Sequence, residues 1–312
     1  MPHRDLAEPF HAARLALMLW LACAAAPASA LGVPPHDRVI VVMMENKSYD
    51  QVRTQPYTLS LMQRGATFTS SFGVTHPSQP NYIALWAGGL LGVLNNNCPA
   101  PGSPFISENL GHACETAGLR WRAYCENLAV AGSSACSFDG NATSGLYTRK
   151  HAPWTQFSNL NHANERPWGD LAVDIAANTL PNLVIIIPNN CHNSHNNTTL
   201  GCGVPDADNW LAANMPALIA ALGPRGLLVL TWDEDDSASG NHVLTVFVGP
   251  QVLPGAVSNQ VITHFSVLRM ICDALRLPPF GNATVEATIA NVWTAVTPTR
   301  GQSWGRVKSM YR

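Results

Sequence analysis

Charge is scarce in this chain. Only 12% of its 312 residues are Asp, Glu, Lys or Arg, and the net charge is −2. No basic run and no acidic tail is present, and nothing in the charge calls for a nucleic acid as partner. No Cys-x-x-Cys pair occurs, so the eight cysteines do not form a zinc finger. No apolar stretch reaches the length that spans a bilayer, so no stable membrane insertion is expected. No internal repeat is visible. The letters G-x-S-x-G occur at residues 301–305, but no buried strand precedes them and no helix follows. That context disfavours an ordinary Ser-His-Asp hydrolase.

The first thirty residues read as an export leader. Arg14 precedes the apolar run 15–21, and Ala28-Ser29-Ala30 supplies a small-residue cleavage pattern. The organisation expected is a leader over 1–30, one domain over 31–296, and a loose basic tail over 297–312. The protein is accordingly expected to be secreted or periplasmic, where thiols oxidise. Proximity in sequence suggests the pairs Cys125–Cys136 and Cys191–Cys202, with Cys98–Cys114 as a third. Cys272 falls in an apolar helical pattern and reads as a free core thiol.

Residues 39–44 form a continuous apolar, β-branched run, as a strand buried on both faces requires. Similar runs lie at 182–187, 226–232 and 243–248. Between them, helical patterns follow Ser78, run from Ser103 to Ala117 with Pro104 in first position, and extend from Asp208 as a cap to Leu222. A last one runs from His264 to Leu275. From Cys125 to Trp168 no period is sustained, which reads as a long surface excursion pinned by a disulfide. The fold class expected is α/β, with a mostly parallel central sheet and helices on both faces.

Polar clusters follow three of these strands and precede the fourth. In a parallel sheet the C-terminal strand ends share one edge, so Glu45, His192 or His195, and Asp233 with Glu234 can converge there. Four acidic residues in succession repel unless solvent or a cation offsets them. Asp235 and Asp236 are expected in a solvated turn. Asp233 and Glu234, next to the buried strand, are expected to bind a divalent cation. The stretch His76-Pro77-Ser78-Gln79-Pro80-Asn81-Tyr82 places a serine at a helix N-terminus, where free N–H groups and the macrodipole favour phosphate. A metal on the Ser78 oxygen would lower its pKa and neutralise phosphoryl oxygens.

Six segments, in order, resemble the phosphoesterase family of the alkaline phosphatase superfamily, which holds acid phosphatases and non-specific phospholipases C. They are residues 44–50, 76–82, 149–154, 181–189, 232–235 and 241–243. The resemblance implies the alkaline-phosphatase-like fold, a divalent metal of unknown identity, Glu45, Asn46, Asp233 and Glu234 as ligands, and Ser78 as both ligand and nucleophile. It implies His242 facing the phosphate or a second metal, and His151 as a phosphate contact. His76 and His195 are candidates for phosphate contact or leaving-group protonation, and Asn81 for substrate contact. The loop after Pro188 departs from the family pattern, with Asn193 and Asn196 where acidic residues are expected. Neutral amides bind cations less well, which weighs against a second metal site.

The leading reading is an exported metal-dependent phosphomonoesterase working through a covalent phosphoserine. Its substrate is a small phosphate ester or a phospholipid headgroup. A phospholipase C acting on a diester is the neighbouring alternative, and a non-catalytic exported binding protein the alternative of another class.

Overall fold

A computed structural model describes residues 32–140, 145–195 and 201–294. The expected leader, the tail and the 301–305 motif lie outside them. Twelve strands follow in chain order: β1 (Arg38–Met44), β2 (Ala66–Phe68), β3 (Ser71–Phe72), β4 (Trp121–Cys125), β5 (Ser137–Phe138) and β6 (Tyr147–Thr148) come first. Then come β7 (Glu165–Pro167), β8 (Leu183–Ile187), β9 (Gly226–Trp232), β10 (Thr245–Val248), β11 (Ala256–Ser258) and β12 (Ile262–Thr263). Eight of them form one sheet in the order β11-β2-β10-β9-β1-β8-β4-β7. Only β10 runs against its neighbours; every other ladder in the sheet is parallel.

The period of two along β1 decides what each face holds. Val39, Val41 and Met43 join one buried cluster with Trp86, Leu110 and Leu268. Ile40, Val42 and Met44 join the other with Leu61, Leu171, Leu211 and Leu218. Seven helices supply these partners: α1 (Tyr49–Val52), α2 (Pro56–Arg64), α3 (Ser78–Ala87), α4 (Leu110–Thr116), α5 (Gly169–Ala176), α6 (Val204–Ala220) and α7 (His264–Leu275). α3, α4 and α7 cover the first face; α2, α5 and α6 cover the second. Each fully buried aliphatic side chain contributes about 1.5–3 kcal/mol, so the expected two-faced α/β architecture is held from both sides.

α3 is buried along its whole length, which suits a helix with no polar face. It stops at Gly88, whose φ of 69° is left-handed and whose N–H returns to the Ala84 carbonyl. A Cβ there would meet the Phe280 carbonyl at 2.8 Å, so glycine is required on two counts.

Three local expectations are corrected. The helix expected from Ser103 begins only at Leu110, capped by Asn109. The reason is that Phe105 exchanges backbone hydrogen bonds with Gln156 and Ser158, which a helix cannot permit. α6 starts at Val204 rather than Asp208. Asp208 instead caps a neighbouring helix, accepting from the Tyr57 and Thr58 amides and the Thr58 hydroxyl at 2.8–2.9 Å. The disulfide in the excursion joins Cys98 to Cys136, not Cys125 to Cys136 or Cys98 to Cys114. Cys125 closes β4 inside the sheet, and Cys114 faces the core from α4; both are free and buried, as Cys272 is. Burial pushes the Cys114 and Cys272 thiols up to about 12. Cys191–Cys202 forms as the spacing suggested.

Candidate active site

The parallel ladders bring Met44, Ile187 and Trp232 to one edge. Because β10 is antiparallel, it is its N-terminal end that reaches the same edge. The chain leaving each strand there carries the polar clusters.

Ser78 is the first residue of α3 and is 2% exposed. Its hydroxyl donates to Glu234 Oε1 at 2.8 Å. Lys150 Nζ donates back to the Ser78 oxygen at 3.3 Å. The other oxygen of Glu234 lies 2.5 Å from His76 Nδ1, and His76 Nε2 lies 3.3 Å from Asp235. The arrangement is therefore a hydroxyl held between an acceptor and a cation, with the acceptor itself oriented by an imidazole.

Beside it, Glu45 follows β1 and is fully buried. Lys150 Nζ is 3.9 Å from its Oε2, His195 Nε2 is 4.0 Å from the same atom, and His151 Nε2 is 2.5 Å from Oε1. The His151 contact is close but not aligned as a hydrogen bond. Burial by itself raises the Glu45 carboxyl, but the positive field of His151 and Lys150 outweighs it and holds Glu45 well below the usual range. Asp233 goes the other way: burial, with the charges of Glu45 and Glu234, pushes it well above. Glu234 is raised by burial and by Glu45, against the pull of its bonds to Ser78 and His76.

Four buried polar atoms in this cluster make no hydrogen bond: both carboxylate oxygens of Glu45, Oδ2 of Asp233 and Nε2 of His151. Orphaned donors and acceptors of this kind are costly, and carboxylate oxygens facing one another are what a hard divalent cation takes. The donor chemistry fits a metal. Among the described residues no three His, Cys, Asp or Glu side chains gather into a self-sufficient ligand set. Asn46 sits in the left-handed region at φ 52° and gives its amide to Asp233 Oδ1 at 3.0 Å.

The remaining sequence candidates are placed as follows. Asn81 is fully buried and its carboxamide is taken up by the 74–77 loop. It accepts from the Val74 and Thr75 amides and donates to the Thr75 and Pro77 carbonyls. It shapes the loop that presents Ser78 and has no free atom for substrate. His242 stacks on Tyr49 at 4.8 Å and donates from Nε2 to the Thr69 carbonyl. Among the described residues no contact joins its ring to Ser78 or the buried carboxylates. Asp235 is not a solvated turn residue: it is buried and accepts from the amides of Ser237, Ser239 and Asn241. Asp236 is exposed as expected. Asn193 gives its carbonyl to the Glu45 amide at 2.7 Å, so it ties the 189–195 loop to the site through backbone; Asn196 lies outside the described residues.

The expected phosphate site at the α3 N-terminus is mostly closed. The Gln79 amide already donates to Asn96 Oδ1 at 2.9 Å, and Pro80 has no N–H. Positive charge for a phosphate must come from side chains or a cation instead. Two further residues contribute: Lys150, inside the 149–154 segment, and His264, which sequence reasoning passed over. Lys150 belongs to the loop excursion, where no periodicity marks it. His264 opens an apolar helix and donates from Nε2 to the Asp233 carbonyl at 2.6 Å, neutral because burial pushes it down to about 4.

The profile of the Phosphoesterase family matches residues 51–278. A phosphatidylinositol-3-phosphatase of Mycobacterium tuberculosis is 34% identical over 269 residues, covering 85% of each chain. A probable acid phosphatase of Kluyveromyces lactis is 26% identical, covering 82% of this chain and 62% of its own. An acid phosphatase of Aspergillus fumigatus is 27% identical, again over 82% of this chain but 58% of its own. The chain thus spans about six-tenths of these two fungal relatives. In fold it is similar to an alkaline phosphatase superfamily protein from Vibrio parahaemolyticus, with a TM-score of 0.58 at 9% identity, covering 83% and 73% of the two chains. The chain belongs to the phosphoesterase family and is an enzyme that hydrolyses phosphate esters.

Proposed function

We propose that this phosphoesterase is a metal-dependent phosphomonoesterase of acid-phosphatase type that works through a phosphoserine at Ser78. The observation that carries the reading is the Ser78 hydroxyl, buried between Glu234 Oε1 and Lys150 Nζ in a cluster where the oxygens of Glu45 and Oδ2 of Asp233 accept no hydrogen bond. Similarity to a phosphatidylinositol-3-phosphatase supports monoester cleavage and brings a phosphorylated lipid headgroup among the substrates. The two disulfides support an oxidising compartment, consistent with export.

Glu45, Asp233 and the Ser78 oxygen are the residues that would hold the cation. When bound there, it neutralises the phosphoryl oxygens and lowers the pKa of the hydroxyl. The chain's own residues do the rest. Glu234 accepts the Ser78 proton as Oγ attacks phosphorus in line and the ester oxygen departs. His76 keeps Glu234 oriented with Oε1 towards Ser78. Lys150 holds Oγ in place and offers its charge to the transferring group. His195, with Nε2 4.0 Å from Glu45 Oε2 and its side chain 39% exposed, protonates the leaving alcohol in this reading. Water then cleaves the phosphoserine with the same groups in reverse.

The test is release of alcohol from a chromogenic phosphate monoester and from a matching phosphocholine diester, after chelation and after adding back single divalent metals. Acid quench during turnover should trap phosphate on Ser78. Ser78→Ala should abolish the trapped species and lower turnover by at least about 10³-fold. Preference for the diester would instead favour the phospholipase C reading. A Ser78→Ala variant with undiminished turnover would remove the covalent mechanism.

A further inference from the structure

Ser78 and Lys150 are 72 residues apart in sequence and come from different parts of the fold. Ser78 belongs to α3, which packs on the sheet. Lys150 belongs to the irregular excursion, in a single 3-10 turn covering Arg149–His151. Short irregular segments hold a side chain less firmly than a sheet or a helix does. What fixes one against the other is legible in the hydrogen bonds around the Cys98–Cys136 disulfide.

On one side of that bond, three consecutive asparagines grip the residue after Ser78. Asn96 Oδ1 accepts from the Gln79 amide at 2.9 Å, and Gln79 Nε2 donates to the carbonyls of Asn95 and Asn97 at 2.9 and 3.1 Å. Asn97 is bonded directly to Cys98. On the other side, the Cys136 carbonyl accepts from the Arg149 amide at 3.0 Å, one residue before Lys150. The Arg149 guanidinium donates to the Ser134 carbonyl at 3.0 Å and lies 4.0 Å from Cys98 Sγ. The disulfide, with Cα atoms 5.8 Å apart, thus joins a segment that grips Ser78 to a segment that carries Lys150.

We propose that the Cys98–Cys136 disulfide is a positioning device for the Ser78–Lys150 contact, so that opening it loosens Lys150 and slows phosphoryl transfer. The inference rests on the proposed role of Ser78 and Lys150. Both cysteines are half-buried, so a small reductant can reach them. A dithiol such as dithiothreitol reduces the bond to two thiols and closes to its own cyclic disulfide. Other tethers remain after that. Gln156 Oε1 accepts from the Ala100 amide at 3.2 Å and from Arg149 at 3.4 Å, and Tyr82 of α3 stacks on His151 at 4.9 Å. Loss of the covalent link should therefore misplace Lys150 by a fraction of an ångström or more without unfolding the site. A displacement on the order of 1 Å costs up to about 10²-fold in rate, and the remaining tethers bring the expected loss to about tenfold.

The experiment has two readouts on the full chain, oxidised and reduced, and on the variant Cys98→Ala/Cys136→Ala. The first is acetylation of lysines by a water-soluble ester, mapped by mass spectrometry. Lys47 serves as an internal control, because it is equally buried at the site edge but is held by the Asn46 carbonyl, away from the disulfide. Opening the disulfide should speed acetylation of Lys150 and leave Lys47 unchanged. The second is turnover of a phosphate monoester with metal present. The kcat should fall about tenfold on opening, and the fall should vanish in a Lys150→Ala background.

Unchanged Lys150 acetylation, or equal acceleration at Lys47, overturns the inference, as does a rate loss that persists undiminished without Lys150. Where the double alanine variant does not fold, reduction of a Cys191→Ala/Cys202→Ala chain, from which the second disulfide is already removed, carries the same comparison. Wild-type protein that turns over no phosphate ester would sink the proposed mechanism, while the acetylation pattern would still decide whether the disulfide positions Lys150.

Discussion

Glu234 divides its two carboxylate oxygens between Ser78 and His76: Oε1 accepts the hydroxyl proton at 2.8 Å, and Oε2 lies 2.5 Å from the imidazole. One side chain is thereby fixed in rotation from behind and presented to the nucleophile from the front. The same residue types on a flexible loop would share those contacts among many orientations.

Glu234→Gln tests whether that acceptor moves a proton or merely fills space. A Gln oxygen can still accept the Ser78 hydrogen bond but cannot take the proton. The kcat is expected to fall about 10²–10⁴-fold, the usual contribution of a positioned base, with KM changed little. Steady-state kinetics on a phosphate monoester measures it. A variant within twofold of wild type would remove Glu234 from the chemistry.

Asp233 beside Glu45 predicts a conflict between stability and activity. Both are fully buried, and burial first, then the charges of Glu45 and Glu234, raises Asp233 well above the ordinary carboxylate range. Asp233→Asn retains an Oδ1 that accepts from the Asn46 and Glu234 amides and removes the repulsion. Stripped of metal, the variant should melt above stripped wild type, at about 2–4 °C for each kcal/mol relieved. It should gain nothing from added divalent metal in either melting or turnover. Thermal melts with and without chelator make the comparison.

His192 sets a pH dependence of folding outside the carboxylate cluster. Its Nδ1 lies 2.8 Å from Glu126 Oε2, and that bond raises its pKa above the ordinary 6.5. Glu126 also accepts from the Asn189 amide and from Trp210 Nε1, so it anchors the 189–195 loop to the second face of the sheet. A raised histidine binds its proton more tightly folded than unfolded. The stabilisation is therefore complete below pH 6.5 and fades as the pH climbs through the folded value. His192→Gln should lower the melting temperature most at pH below 6.5, and the gap should narrow at higher pH. A gap that is flat or widens with pH contradicts the pairing.

Asp208 is a cap supplied from outside the helix it serves. Asp208→Ala orphans the Tyr57 and Thr58 amides and the Thr58 hydroxyl at the start of α2. The expected cost is about 1–3 kcal/mol. α2 covers the face opposite α3, so kcat measured well below the melting point should not change. Denaturant unfolding together with turnover separates the two effects.

The strands β1, β8 and β9 and the helix α7 were legible because burial on both faces leaves an unbroken apolar run, and a helix against a core leaves a period. Ser78 at the head of α3 was legible too, since Pro77, Pro80 and Gly88 punctuate it. Lys150 was not. It stands in a stretch without period, where a charged residue looks like any solvated side chain; the 149–154 segment that contains it was a signal, but one that pointed first to His151. The roles of Asn81 and Asp235 also escaped, because a polar side chain folded back on its own loop has the same letters as one aimed at a ligand. Pairing Cys98 with Cys136 needed the fold itself, which brings two loops together that are separated by 38 residues.

The antiparallel strand β10 has a consequence for how such a site can diversify. Within the described sheet, residues 233–244 form the connection that both leaves and re-enters at the active edge. Its tip, residues 236–240, is exposed, while Asp235 gathers the backbone at its base. Extra chain inserted at that tip would leave the β9–β10 ladder and both helical layers in place, because the exposed turn lies beyond the bonds that Asp235 makes.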